Sequence, residues 1–167
     1  FYSLNALLDP NSRIHPAWRR SSLSALGSEF EKLLSEVGGS WEIWPVIASL
    51  MPGQLSSPKF AEVINAIRGL PLHSFEEKIL QGLIHTEEAY VPLLKRKSSL
   101  KAALSKVPKA KREWISHIGL FPYDPKSPQI ITLEKLLSDS ELFRETLLRA
   151  LEIYWEKSFK VTWERLL

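Results

Sequence analysis

The chain has 167 residues, 44% of them hydrophobic and 25% charged, with a formal net charge of +3. Length and balance fit one globular domain with a sizeable core, and so small a net charge does not by itself call for a polyanionic partner. There is no cysteine, which excludes disulfides, thiolate metal sites and thiol nucleophiles, and no apolar run reaches the ~20 residues of a membrane span or forms a signal-peptide pattern.

The hydrophobic period is helical throughout. Leu4, Leu7 and Leu8 form a first stripe, stopped by Asp9-Pro10. Leu23, Leu26, Phe30, Leu33, Leu34 and Val37 form a longer one, closed by Gly38-Gly39, which favours a left-handed helix end. Pro45 lies too deep for a helix capped at Ser40, so a turn and then a helix restarting near Pro45 are expected, ending at Pro52-Gly53. Ser57-Pro58 reads as a helix start, with Phe60, Val63, Ile64 and Ile67 on one face behind it and Gly69 and Pro71 closing it. Ser74 and Glu77 have capping-box spacing ahead of a helix that turns Phe75, Ile79 and Leu83 inward. One further helix is expected over residues 90–107 and another over 111–118.

The segment FPYDPKSPQ, with three prolines, predicts a loop followed by a short extended piece at Ile130-Ile131. Ser138 with Glu141 forms a second capping box, and Leu137 with Leu142 the matching hydrophobic staple, at the start of a long last helix. In that helix Phe143, Leu147, Leu151, Trp155, Phe159, Trp163 and Leu167 recur every four residues. Each step drifts ~40° around a straight helix, so one flat core cannot bury both ends of the series. Phe159, Trp163 and Leu167 are therefore candidate interface residues, with Trp163 and Leu167 expected to be more exposed than Leu147 and Leu151. The fold class is all-α: an orthogonal multi-helix bundle of about seven to eight helices with a long C-terminal one.

Local chemical motifs are few. The histidines, His15, His73, His85 and His117, have no HExxH spacing, and no P-loop, GxGxxG or GxSxG is present. Neighbouring carboxylates such as Glu76-Glu77 and Glu87-Glu88 diverge by ~100° on a helix and make no acid/base pair. No catalytic residue, metal or cofactor is assigned. One charge asymmetry stands out: Lys95, Arg96, Lys97, Lys101, Lys106, Lys109, Lys111 and Arg112 follow one another with no acid between Leu93 and Arg112. Lys95, Arg96, Lys97 and Lys101 are candidates for phosphate contacts, against the alternatives of a solvated face or a dock for acidic residues. Six tryptophans allow either a ring-filled core or an apolar pocket. Trp18, Trp41, Trp44 and Trp155, with His15, are the pocket candidates.

The block LNALLDPNSRIHPAW, with Asp9, Pro10, His15, Pro16 and Trp18, resembles the N-terminal helical region of certain ArsR-type bacterial transcriptional regulators. PKFAEVINAIRGLP is similar to a second block of that region. LLSDSELFRETLLRALEIYWEKSFKVTWERLL, with Tyr154, Trp155, Phe159, Trp163 and Glu164, resembles the helix that closes it. The resemblance implies a cytoplasmic regulatory domain without catalytic activity, a fragment of a longer chain whose C-terminal winged-helix DNA-binding domain is absent from these 167 residues. It also implies effector sensing, dimerisation or both, with a homodimer and a small organic effector as expected partners and no membrane. An autonomous protein-interaction module is the alternative reading, and an enzyme with scattered catalytic residues a third.

Overall fold

The computed structural model describes residues 2–9, 11–50, 59–116 and 120–160. Among them the chain forms ten α-helices and no strand. In chain order these are α1 (Tyr2–Leu8), α2 (Pro16–Glu36), α3 (Ile43–Ser49), α4 (Phe60–Arg68), α5 (Leu72–Ile84), α6 (Glu87–Leu94), α7 (Leu100–Ser105), α8 (Lys109–Ser116), α9 (Pro128–Ser138) and α10 (Ser140–Tyr154), the last continued by a π-helical turn over Trp155–Phe159. The all-α bundle with its long last helix is as the periodicity predicts, though the helices outnumber the expected seven or eight because several are short. No helix among the described residues is long and apolar enough to cross a membrane.

Two helices organise the packing. In α10, Phe143, Thr146, Leu147, Leu148, Ala150, Leu151, Ile153 and Tyr154 are all buried, which covers most of its circumference and marks a helix enclosed on several sides. It packs on α2, α9, α4 and α5. Helix α5 inserts Phe75, Ile79, Leu80, Leu83 and Ile84 and packs on α3, α6 and α9. Helix α1 lies on α3 and α2, with Leu4 and Leu7 fully buried, and α6 packs on α7. Each such fully buried leucine contributes about 1.5–3 kcal/mol of transfer free energy.

Local groups set several of the helix ends. His15 caps α2, its Nδ1 accepting from the Ala17 N–H at 3.3 Å, with Pro16 opening the helix. Gly38 and Gly39 adopt φ of +93° and +75° and turn the chain out of α2. A tight turn precedes α3, which starts at Ile43 and holds Pro45 within its first turn, where no intrahelical N–H bond is lost. The expected start of α4 at Ser57-Pro58 lies outside the described residues, as does the Pro52-Gly53 stop. From the described part, the Lys59 N–H donates to Glu62 Oε2 at 3.1 Å.

Other expectations are corrected. Ile130-Ile131 is helical: Ser127 caps α9 through its hydroxyl, which accepts from the Ile130 N–H at 3.3 Å, and Pro128 fills the first position. A pair of adjacent isoleucines fits a buried helix face as well as a strand, and the cap decides between them. The single helix expected over 90–107 is two, because Arg96 takes a left-handed φ of 52° and breaks it between α6 and α7. Helix α5 begins at Leu72, so Ser74 is already inside it rather than at its cap. At α10 the cap is Asp139, whose Oδ1 accepts from the Leu142 N–H at 2.9 Å, one residue beyond the predicted Ser138. Leu142 is 64% exposed and does not serve as a staple.

The drift along the last helix is relieved by the π turn. There the Lys160 N–H donates to the Trp155 carbonyl, five residues back. A π turn accommodates one extra residue. In a straight α-helix Phe159 would sit about 160° around from Phe143, and the insertion takes back roughly 100° of that. Phe159 thus returns to the core side, half-buried against Tyr154 and Trp155. The partner of this irregularity is a second one. Gly27, at φ 71° and ψ −176°, kinks α2 in a region open essentially to glycine alone. The carbonyl of Leu26 beside the kink accepts from Lys157 Nζ of the π turn at 3.4 Å.

Candidate functional site

The π turn also builds an aromatic stack. Trp155 lies parallel to Phe60 of α4, with centroids 4.6 Å apart and planes 3° from parallel, and Phe159 tilts against Trp155 at 5.7 Å. Beside this stack runs a groove of about 360 Å³ between α4 and α10. Phe60, Ala61 and Ile64 supply its apolar side, and Asn65, Arg68, Arg149, Glu152 and Glu156 its polar side. The charges are mutually neutralised. Arg68 donates to Glu145 at 3.1 Å and to Glu152 at 3.4 Å, and Arg149 reaches Glu29 of α2 at 3.1 Å. The hydrogen bond to Glu145 holds the Arg68 guanidinium protonated even more firmly than usual. With five polar or charged lining residues against three apolar ones, the groove suits a ligand that carries polar groups beside an apolar face, and its volume lies at the low end for small-molecule sites.

Phe60→Ala is expected to destabilise the chain by about 2 kcal/mol, below the 3–5 of a fully buried phenylalanine because Phe60 is only half-buried. Urea unfolding measures the loss, and a red shift of the native tryptophan emission reports the opened stack; an unchanged midpoint would remove the stack from the list of stabilising contacts.

Next to the stack, Tyr154 is buried and donates its hydroxyl to Ser3 Oγ at 2.8 Å, tying α10 to α1. Burial raises its phenol above the ordinary value of 10.0, against an opposing effect of the Ser3 hydrogen bond. The folded state therefore holds this proton more tightly than the unfolded chain. The associated stability is present below about pH 10 and is lost as pH climbs from there through the raised value. Tyr154→Phe is expected to cost about 1 kcal/mol near neutral pH, yet to lose less than the parent as pH rises above about 10. Equal alkaline losses in both would show that another group governs that limb.

The predicted pocket residues are not brought together. His15 is exposed and serves as the α2 cap. Trp18 and Trp41 are half-buried and Trp44 wholly enclosed in the core. Trp155 stands beside a groove, through its contact with Phe60. Two further grooves are lined by Glu36, Lys135, Asp139, Leu142 and Phe143, and by Glu87, Glu88, Val91 and Pro92. None of the three is lined by the five predicted residues. Of the interface candidates, Phe159 packs within its own chain, while Trp163 and Leu167 lie outside the described residues.

The basic segment divides into structural and free charges. Arg96 is tied to Glu76, a buried carboxylate of α5, and so closes the break between α6 and α7. Its side chain nonetheless stays 50% exposed. Arg112 donates from Nε to the Val107 carbonyl at 2.7 Å and from Nη2 to the Ser105 carbonyl at 2.6 Å, satisfying the end of α7, and lies over the Phe121 ring at 5.4 Å. Lys101 lies over Tyr123 at 5.9 Å. Lys95, Lys97, Lys101, Lys106, Lys109 and Lys111 are all exposed.

A polar cluster escaped the sequence reading. Buried Glu42 accepts from the Ser40 hydroxyl at 2.6 Å and from the Gln129 side-chain amide at 2.8 Å. The Ser40 N–H meets Thr132 Oγ1 at 3.3 Å. It joins the turn before α3 to α9 across ~90 positions of sequence, so no local spacing signals it. The histidines are dispersed: His73 is exposed in the first turn of α5, His85 ends α5 at φ 56°, and His117 lies outside the described residues. Among the described residues no three His, Asp or Glu side chains group as a metal would require. Large exposed hydrophobics there are Leu72 and Leu142, on different helices. No protein-family model matches the chain, and no curated protein or solved structure shows significant similarity to it.

Proposed function

We propose that this chain is the regulatory helical domain of an ArsR-like bacterial transcriptional regulator, a cytoplasmic, non-catalytic module that senses a small organic effector, supports a homodimer, or both. The observation that carries the reading is the placement of the three sequence blocks behind the resemblance. They fold as α1 with the start of α2, as α4, and as α10 with its π turn, and α10 packs on both α2 and α4. Residues far apart in sequence thus belong to one packed unit.

In this reading the α4–α10 groove is the effector site, because its walls are two of those three blocks and its rim meets the Phe60–Trp155 stack. A ligand pressing on that stack bears directly on the π turn. Conversion of the π turn to a regular α-helix would rotate the chain after Lys160 by about 100°. Among the described residues the large exposed hydrophobics, Leu72 and Leu142, lie on different helices, whereas an interaction module requires a contiguous apolar patch.

The test is the complete reading frame. A winged-helix segment encoded downstream, and operator DNA binding by the full-length product, are the expected results. A reading frame without such a segment would sink the family assignment.

A further inference from the structure

Residues 95–112 carry eight basic side chains and no acidic one, so with a net charge of +3 for the whole chain the remaining residues sum to −5. So polarised a distribution creates a local positive field that net charge conceals. Structure separates the charges that hold the fold from those that face water. Arg96 and Arg112 are committed to Glu76 and to the carbonyls at the end of α7. The six lysines remain on the surface.

The scaffold also gathers them. Leu100, Ala103 and Leu104 bury one side of α7, which leaves Lys101 on the outer side. The two hydrogen bonds from Arg112 fold the start of α8 back onto the end of α7, bringing Lys106, Lys109 and Lys111 beside that helix. Lys101 and Arg112 then lie over Tyr123 and Phe121, rings two positions apart on one loop, so one cation from α7 and one from α8 meet the same loop. Acids on that loop and behind it are Asp124 and Glu134, with Glu113 following Arg112 on α8, and Glu134 is engaged by the Tyr123 hydroxyl.

We infer that the exposed lysines of the α6–α8 segment form a binding site for the phosphate backbone of duplex DNA. The inference is independent of the regulatory reading above. Three observations select this ligand. Lysine is depleted at protein–protein interfaces, which rely on aromatic and arginine anchors, and here the arginines are committed elsewhere. A membrane surface holds a basic segment most firmly where apolar residues flank the cations, and among the described residues neither large exposed hydrophobic, Leu72 or Leu142, lies in the segment. A single strand requires free ring faces for stacking, and the Phe121 and Tyr123 rings are each covered by a cation. What remains is a set of mobile point charges suited to sequence-independent phosphate contact.

The experiment uses this chain and a fluorescent duplex of about 20 base pairs, followed by anisotropy from about 50 to 200 mM salt. With five phosphates engaged, log K should fall with log salt at a slope near −4.5, a loss of roughly 500-fold across that range. The triple variant Lys97→Gln, Lys106→Gln, Lys109→Gln is expected to bind at least ~10-fold more weakly at low salt and to flatten the slope by about 2.7. A triple of equal net charge on other surfaces, Lys32→Gln, Lys78→Gln, Lys135→Gln, should leave the slope unchanged. Circular dichroism checks that both retain their helices. Absence of saturable binding at about 50 mM salt overturns the inference. So does equal weakening by the two triples, tighter binding to the single strand, or tighter binding to phosphatidylserine vesicles than to the duplex.

Discussion

Trp44→Ala is expected to remove about 3–5 kcal/mol of stability, a large share of the roughly 5–15 kcal/mol that a domain possesses. Trp44 is fully buried in α3, among the largest enclosed side chains of the protein, and α3 packs on both α1 and α5. A cavity there would be felt by three helices at once, and α1 in particular has few other supports. The indole Nε1 makes no hydrogen bond to another described residue. Trp44→Phe therefore gives up volume but no polar contact, and should cost about 1–2 kcal/mol. Urea unfolding followed by far-ultraviolet circular dichroism separates the two variants, with a lower midpoint and an unchanged slope. A Trp44→Ala protein as stable as the parent would mean that the indole is not a core element, and would reopen it as part of a binding pocket.

The second large effect is Gly38→Ala, expected to destabilise by about 3 kcal/mol, against about 1 kcal/mol for Gly39→Ala. Both glycines have positive φ, so both variants carry backbone strain. They differ in what a methyl group would meet. At Gly38 it would lie 2.5 Å from the backbone nitrogen and from Oγ1 of Thr132 and 2.6 Å from its Cα, whereas at Gly39 nothing lies within 4 Å. The obstacle at Gly38 is the backbone of α9, which cannot swing aside as a side-chain tip can. Displacing α9 would also part the Ser40–Thr132 and Glu42–Gln129 contacts and leave the buried Glu42 carboxylate short of donors. Thermal unfolding of the two variants side by side is the measurement. Equal losses would show that conformational strain alone, and not close approach of α9, sets the requirement for glycine.

These contrasts also mark how far the sequence reaches. The all-α class, the burial of Leu4, Leu7, Phe30, Phe75, Ile79 and Leu147, and the stops at Asp9 and Gly38-Gly39 follow from local period and local backbone preference. Such signals act within one or two turns of chain, and the sequence carries them in full. Where two local signals compete, reading fails by a residue or an element: Asp139 displaces Ser138 as the cap, and Ser127-Pro128 makes Ile130-Ile131 helical. The basic segment was visible as composition, but which of its cations are free was not. Arg96 finds Glu76 twenty positions away, and Arg112 turns back onto the end of α7.

The candidate groove lay beyond sequence reading altogether. It depends on Phe60 meeting Trp155, on Glu152 lying between Arg68 and Arg149, and on a π turn set against the kink at Gly27. By itself the sequence determined the helical class and the apolar faces of most helices, because those follow from the 3.6-residue period and from caps that act through neighbouring backbone groups. Tertiary structure alone decided which polar groups are spent on the fold, where α10 widens into its π turn, and which aromatic rings stack rather than fill the core. Those outcomes rest on contacts between helices far apart along the chain, and a contact of that kind has no local period to reveal it.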